Sequence, residues 1–460
     1  MKRWLALALL PVLLSGRQVT FHEAARAALE HNEELKSREL EVKRTNEEVR
    51  IAQAMGLGRA SVGITAGYTN NPLHVFGSKL ASHEASFADF GFDQFLANMS
   101  GLTTTTADSV LAIKPEKLNN PSPRLNIESS ISYELPLFTG YKLTSARTMA
   151  DLQRRANEIK LKHDRKLLVR EVLNAYNGVV LAKEFIAALK IAKTATSGFV
   201  KMAKDFSDAG MALKSDILEA QSYEADVDAK MIEAEGQRDL ALAYLRFLTG
   251  RDEIDDVTGY EDLSAQISSL ASMKEKALEN REDLAWMRLN VKTMKEKIRF
   301  ESAENYPMVG LMAKYGFNDN GLTLSGKHDF YMLGLGVGYT LYDWGKRDAE
   351  IQKARIDYNK MALMESYMGK GIALEVEKAW IEYRSKEGAL RQKEAALALA
   401  EEVLEQMRGR YQYSLITMSQ LLLKQADAQR ARAEVAKARY ELIRAAADLA
   451  IAQGIEIVKD

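Results

Sequence analysis

Val309-Gly-Leu-Met-Ala-Lys-Tyr-Gly-Phe317 alternates apolar with small or polar side chains, and Leu333-Gly-Leu-Gly-Val-Gly-Tyr-Thr-Leu341 does the same. A period of two gives a strand one apolar face and one small or polar face. The pattern recurs earlier in the chain. Ile127, Ser129, Ile131, Tyr133, Leu135 and Leu137 alternate with Glu128, Ser130, Ser132 and Glu134, and Val62, Ile64, Ala66 and Tyr68 supply a partner. Strands are expected over residues 61–69, 127–138, 308–318 and 331–342. Each is about ten residues, the length a tilted strand needs to cross a bilayer. A half-buried strand of a soluble sandwich would show the same alternation, but tyrosine and phenylalanine at the strand ends suit interfacial girdles. Four strands cannot close a barrel, and lipid does not tolerate an open edge. If these strands span a membrane, several copies of the chain must pool them.

The strands sit inside an internal repeat. Ala28–Leu35 aligns with Ala277–Leu284 at an offset of 249 residues, which also carries Val49-Arg50 onto Ile298-Arg299 and Gly67-Tyr68 onto Gly316-Phe317. Farther on the offset becomes 204. It places Leu137-Phe138 on Leu341-Tyr342, Ala175-Tyr176 on Ala379-Trp380, Leu218 and Gln221 on Leu422 and Gln425, and Gly250 on Gly454. The offsets differ by 45 residues, an insertion in the first copy between about Asn71 and Arg124. Each copy reads helix, strand, loop, strand, very long helix, turn, helix. Repeat 1 is expected over 17–255, with helix 20–55, an outer loop 71–125, a long helix 142–206 and a helix 212–249. Repeat 2 is expected over 256–460, with helix 264–304, a long helix 346–410 and a helix 416–453.

Both long stretches lack proline, and about 65 residues of helix extend roughly 100 Å. Val376, Tyr383, Leu390, Leu397, Leu404 and Tyr411 recur every seven residues. Their counterparts Val172, Val179, Ile186, Lys193, Val200 and Ser207 are mostly apolar. A sustained heptad means helices packed along a coiled-coil seam.

Bulk properties fit this reading. Lys+Arg 63 against Asp+Glu 64 gives no electrostatic case for nucleic acid. There is no cysteine, which excludes disulfides, thiolate nucleophiles and Cys-ligated zinc. Lys2 and Arg3 precede an apolar run from Trp4 to Leu14, so residues 1–16 read as a secretory signal. Leu14-Ser15-Gly16 resembles a lipobox, but Arg17 stands where an acylated cysteine would be, so N-terminal lipidation is not expected. Beyond the signal no run of about 18 apolar residues is seen.

The order of parts resembles the TolC family of outer-membrane efflux proteins over essentially the whole mature chain. That family's strand-end motif, PLF-x-G-G-(K/R), is similar to Pro136-Leu-Phe-Thr-Gly-Tyr-Lys142 and Thr340-Leu-Tyr-Asp-Trp-Gly-Lys-Arg347. Its periplasmic-end motif resembles Phe206–Gly210 through Asp216–Ala220, and Arg410–Ser414 through Gln420–Lys424. The resemblance implies an α+β membrane protein: a homotrimer with a twelve-stranded outer-membrane β-barrel, four strands per protomer, continued by a periplasmic α-helical coiled-coil barrel. It implies a passive conduit for efflux or type I secretion, in the outer membrane of a Gram-negative bacterium. It would be opened by an iris-like shift of the helices and partnered by a periplasmic adaptor and an inner-membrane pump. Carried over residue by residue, the adaptor-binding tips are Gly210, Met211 and Ala212 with Ser414, Leu415 and Ile416. The periplasmic constriction falls on Gln420 and Leu423, with Asp216, Glu219 and Tyr411 beside them. Ser414 departs from the usual glycine. Gln420 and Leu423 replace the acidic ring of better-known members, so weaker cation selection is expected.

The long insertion contains Thr103–Thr106, Gly91, Pro121 and the phenylalanines Phe76, Phe87, Phe90, Phe92 and Phe95. It reads as an outward loop with a receptor or plug role. Its phenylalanines could equally pack inward or against neighbours, and the sequence leaves this open. No catalytic, cofactor or metal motif is found. His22, His31, His74, His83, His163 and His328 are scattered, and Gly334-x-Gly336-x-Gly338 lies within a strand, not a dinucleotide loop. Two other readings remain: a structural periplasmic coiled coil without transport, and a soluble helical enzyme.

Overall fold

The computed structural model describes residues 17–99, 111–261, 268–322 and 324–458; the 1–16 signal reading, the threonine run at 103–106 and the start of the helix expected from 264 lie outside them. The chain divides into two compact units. One comprises residues up to Arg44, Arg154–Val291 and Met361 onward; the other comprises Thr45–Gln153 and Lys292–Lys360.

The second unit is built on a four-stranded antiparallel sheet of β2 (Arg59–Thr69), β3 (Arg124–Thr139), β5 (Met308–Asp319) and β6 (Asp329–Gly338), in the order β2-β3-β5-β6. The central pair β3·β5 joins a strand from the first half of the chain to one from the second, and β2 and β6 are the edges. Register keeps the faces apart. Val62 pairs with Ile131, Ile131 with Tyr315 and Tyr315 with Tyr331, while Ser61 pairs with Ser132 and Ser132 with Lys314. Directly opposed residues share a face, so one side is mostly apolar, interrupted by Ser129 and, at one end, by Asp319 and Asp329. That side is bare: Val62 is 77 % exposed and Tyr331 85 %. On the other side Ser61 Oγ meets Ser132 Oγ at 2.8 Å and Lys314 Nζ donates to Glu128 Oε1 at 2.5 Å. β6 ends at Gly338 rather than 342, because the chain there turns toward the next long helix.

The insertion is not an irregular loop. It holds α3 (Pro72–Ala81), a 3-10 turn Phe87–Phe90, α4 (Phe92–Met99) and α5 (Glu116–Asn119). Asn71 caps α3 through Leu73 N, with Pro72 at its first position. The phenylalanines pack on one another, Phe76 on Phe90 at 4.8 Å and Phe92 on Phe95 at 5.9 Å. Phe87, Phe90, Phe92 and Phe95 line a cavity with Leu111, Ile113 and Pro115.

The first unit is helical. The single helix expected over 20–55 is two, α1 (Phe21–His31) and α2 (Glu33–Ala54), because Asn32 leaves the helical region at ψ 123 and donates its side-chain amide to Leu248 O. Thr20 and Glu23 form a capping box at the start of α1. The helix expected over 264–304 is likewise α8 (Leu270–Asn280) and α9 (Glu282–Ser302), broken at Arg281 with ψ 123. Asn32 and Arg281 are equivalent under the 249 offset, and each is followed by a second helix after the same break. Arg281 is held between Asp283 and Glu375. Two short strands, β1 (Arg17–Val19) and β4 (Ile254–Val257), pair in parallel; they are too brief to show a period in the sequence. The remaining helices are α6 (Lys142–Asp208) and α10 (Lys346–Gln412), 67 residues each, then α7 (Lys214–Thr249) and α11 (Met418–Ala452).

Val172, Val179 and Ile186 of the α6 heptad are buried, as is Val376 of α10. Lys193, the charged member, stays exposed and pairs with Asp228 of α7 at 2.7 Å. One stretch of α6 is long and apolar enough to cross a membrane by composition, which revises the expectation that none exists, but it is mostly buried in the chain's own packing. A second seam is uncovered. Leu363, Tyr367, Leu374 and Ile381 of α10 are 72 %, 80 %, 68 % and 54 % exposed, at spacings of four and seven that put them on one face.

Candidate functional site: the paired helical tips

Two turns reverse the long helices. Residues 209–213 join α6 to α7, and residues 413–417 join α10 to α11. Gly210 has φ 72 and Ser414 φ 57, so both turns need a left-handed residue. Each closes alike: Met211 N donates to Phe206 O at 2.8 Å, and Leu415 N to Arg410 O at 3.0 Å. This six-to-one bond satisfies the last helical carbonyls. Met211, Leu213 and Leu415 are then thrust outward, 59 %, 72 % and 71 % exposed; Ala212 and Ile416 are half-buried and Gly210 and Ser414 exposed.

Behind the turns the two tips share one core. Phe199, Val200, Ala203 and Ala220 from the first pack with Tyr411, Met418, Leu421 and Leu422 from the second. Phe206 stacks on Tyr411 with ring centres 5.7 Å apart. Polar contacts cross this seam: Ser419 Oγ donates to Glu219 Oε2 at 2.6 Å, and Tyr223 Oη to Gln429 Oε1 at 3.0 Å. Burial raises the Tyr411 phenol above its usual range, and the Asp216 carboxylate adds to that shift.

The residues expected at a constriction divide into two kinds. Asp216 and Gln420 occupy equivalent third helical positions. Asp216 Oδ2 accepts from Leu213 N at 3.2 Å and Gln420 Oε1 from Thr417 N at 3.1 Å, while Gln420 N donates to Thr417 Oγ1 at 3.3 Å. Both therefore cap the helices that start at the tips. The sequence signal for this role is Thr417-x-x-Gln420, the spacing of a capping box. Glu219 and Leu423 are equivalent too: Glu219 is bound by Ser419, and Leu423 is 58 % exposed. Gln425, a simple repeat match in the sequence, is 1 % exposed, and neither its Oε1 nor its Nε2 has a partner.

One histidine joins a pair of carboxylates. Glu84, Asp319 and His328 bring ligand-capable atoms within 4.8 Å of one another. Arg124 already pairs with Glu84 and holds its carboxyl below the usual range, and His328 Nδ1 lies 2.5 Å from Ser82 O, to which it donates. The cluster fastens the insertion to the end of β5 and has its own cation in Arg124.

Comparison with known proteins follows the same architecture. Residues 24–251 and 274–454 match the profile of the outer membrane efflux protein family. The alkaline protease secretion protein AprF of Pseudomonas aeruginosa is 24 % identical over 233 residues, 49 % of this chain, and the matched part spans about half (48 %) of that protein's length. A membrane protein from Pseudomonas aeruginosa has the same fold at TM-score 0.78 and 16 % identity, covering 96 % of this chain and 92 % of the other. The outer membrane protein VceC of Vibrio cholerae superposes at TM-score 0.75 and 15 % identity, covering 95 % and 97 %. The CmeC outer membrane channel of Campylobacter jejuni does so at TM-score 0.76 and 14 % identity, covering 96 % and 87 %.

Proposed function

The chain belongs to the outer membrane efflux protein family, and from that premise we propose that three copies close a twelve-stranded barrel continued by a helical tunnel. The protein is then a passive conduit for efflux or secretion. The observation that carries this reading is the pair of free edges on a sheet with one bare apolar face. β2 and β6 leave rows of N–H and C=O groups that lipid cannot satisfy. β2 and β6 run in opposite directions, so β2 of one copy meets β6 of the next antiparallel. The exposed seam at Leu363, Tyr367, Leu374 and Ile381 supports the same association, because water does not leave four large apolar side chains on one helix face without cause. The duplicated helix–strand order is read as an ancestral repeat.

The tips are the moving part. Gly210, Met211 and Ala212 with Ser414, Leu415 and Ile416 present an apolar knob suited to the hairpins of a periplasmic adaptor, itself joined to an inner-membrane pump. An iris-like opening slides α7 past α11, and the Glu219–Ser419 bond resists that slide. With Gln420 and Leu423 in place of carboxylates, the constriction selects weakly for cations. In planar bilayers Ser419→Ala, which removes the donor and leaves every charge in place, should raise open probability severalfold over the unaltered channel, with reversal potentials close to non-selective. Absence of ion current in both proteins would refute a conduit, and strong cation selectivity would refute the assignment of the constriction.

A further inference from the structure

Two histidines fasten the insertion to the β5–β6 hairpin, and they do so reciprocally. His83 Nδ1 donates to Lys327 O at 2.9 Å, and His328 Nδ1 donates to Ser82 O at 2.5 Å. Each ring thus bonds the carbonyl that precedes the other histidine in the chain. A carbonyl oxygen can only accept, so the proton of each ring sits on Nδ1 and Nε2 keeps its lone pair. An imidazole that ligates a metal is held in the same way, its far N–H bound to a carbonyl or carboxylate.

The groups around His328 complete a donor set. Glu84, Asp319 and His328 each bring one ligand-capable atom within 4.8 Å of the other two. Donors about 2.0–2.2 Å from one ion lie at most about 4.4 Å apart, so a small closure brings all three onto it. Arg124 and Ser82 both bond Glu84 through Oε2, and Oε1 keeps its lone pairs. Arg124 sets one positive charge against two carboxylates, and Asp319 is 4 % exposed. A further oxygen comes from Asn318. Its N–H donates to His328 O at 2.9 Å, one rung beyond the Phe317–Asp329 pair, so the side chains of Asn318 and His328 leave the ladder on the same face. Asn318 is 8 % exposed, and its Oδ1 has no hydrogen-bond partner among the described residues. A buried acceptor without a donor is costly unless something positive meets it.

We propose that Glu84, Asp319 and His328 bind a divalent cation of the zinc class, with Asn318 Oδ1 as a neutral fourth donor, and that the ion locks the insertion onto the β5–β6 hairpin. One imidazole among oxygens selects that class. Calcium and magnesium take oxygen ligands, whereas zinc and its first-row neighbours accept imidazole together with carboxylate. Arg124 stays on Glu84 Oε2 and orients that carboxylate from outside the ion's own ligands. The ligands come from the loop after α3, from the end of β5 and from the residue before β6. An ion there cross-links three separated stretches of chain, where hydrogen bonds to two backbone carbonyls are otherwise the fastening. The site lies wholly within one copy and one compact unit, and is independent of how copies assemble.

The test is zinc binding to the full chain in a mild detergent. Calorimetric titration of chelator-stripped protein with Zn2+ should show one ion per chain, and Glu84→Gln and His328→Gln should each weaken that binding by about tenfold or more. His74→Gln, on α3 and outside the donor set, should leave it unchanged. Hydrogen exchange over residues 82–84 and 325–329 should slow severalfold when Zn2+ is added. A substitution can disturb the fastening itself, so the unaltered protein carries a second readout. With substoichiometric Cu2+ in place of Zn2+, electron paramagnetic resonance should show coupling to a single imidazole nitrogen. No saturable zinc binding, or binding that both variants keep, would overturn the proposal. A copper spectrum without an imidazole nitrogen, or exchange that zinc leaves unchanged, would place the ion elsewhere and overturns it equally.

Discussion

At the residue scale, Ser414 and Gly210 do the same geometric work with different chemistry. Nothing lies within 4 Å of the point a methyl group on Gly210 would occupy, so Gly210→Ala meets only the strain of φ 72 and should destabilise the first tip by about 1 kcal/mol. Ser414→Gly releases the strain of φ 57 and should stabilise the second tip by about 0.5–1 kcal/mol, part of the release being returned by the freer unfolded chain. Hydrogen exchange at the two tips, around Met211 and around Leu415, reads the two opposite signs. A second residue-scale expectation concerns Asp89, whose carboxyl is brought to about 2, first by the Lys79 hydrogen bond and then by Ser86. A lowered carboxylate value contributes stability above its ordinary value of 3.8, and that contribution is lost as pH falls from there toward 2. Exchange protection of α3 should therefore hold down to about pH 4 and fall below it, and Asp89→Asn should flatten the profile.

At the scale of elements, what the sequence discloses depends on length and period. The four sheet strands and two 67-residue helices carry enough repeats of their periods to be read directly. The breaks at Asn32 and Arg281 are not legible, since each depends on a side chain reaching a distant partner, Leu248 O in one case and Glu375 in the other. The helices of the insertion are hidden by brevity. At the candidate site the left-handed turns are legible through Gly210 and the family resemblance. The capping roles of Asp216 and Gln420 are obscured by the pore-lining role that the resemblance suggests, although the spacing of Gln420 to Thr417 is in plain view. The buried and unpaired Gln425 has no sequence signal, because burial of an amide depends on how the helices pack. The element that most tests the assembly is the sheet edge. The sequence lacks cysteine, so Ile64→Cys on β2 and Leu333→Cys on β6, both on the apolar face, offer a clean background. A short bismaleimide should link copies into covalent dimers and trimers and nothing larger; monomer alone would separate β2 from β6.

At the scale of the whole molecule, the fold places its apolar surface where one chain cannot cover it. The bare sheet face suits lipid, and in the proposed assembly the two free edges and the α10 seam are covered by other copies of the same chain. A sheet that closes on itself through three copies removes every edge at once, which is the condition for a strand structure to persist in hydrocarbon. The mass of the full chain released from vesicles into a mild detergent, measured by native mass spectrometry, tests the central claim most directly. The account predicts three copies per particle; a single copy with intact strands would contradict it.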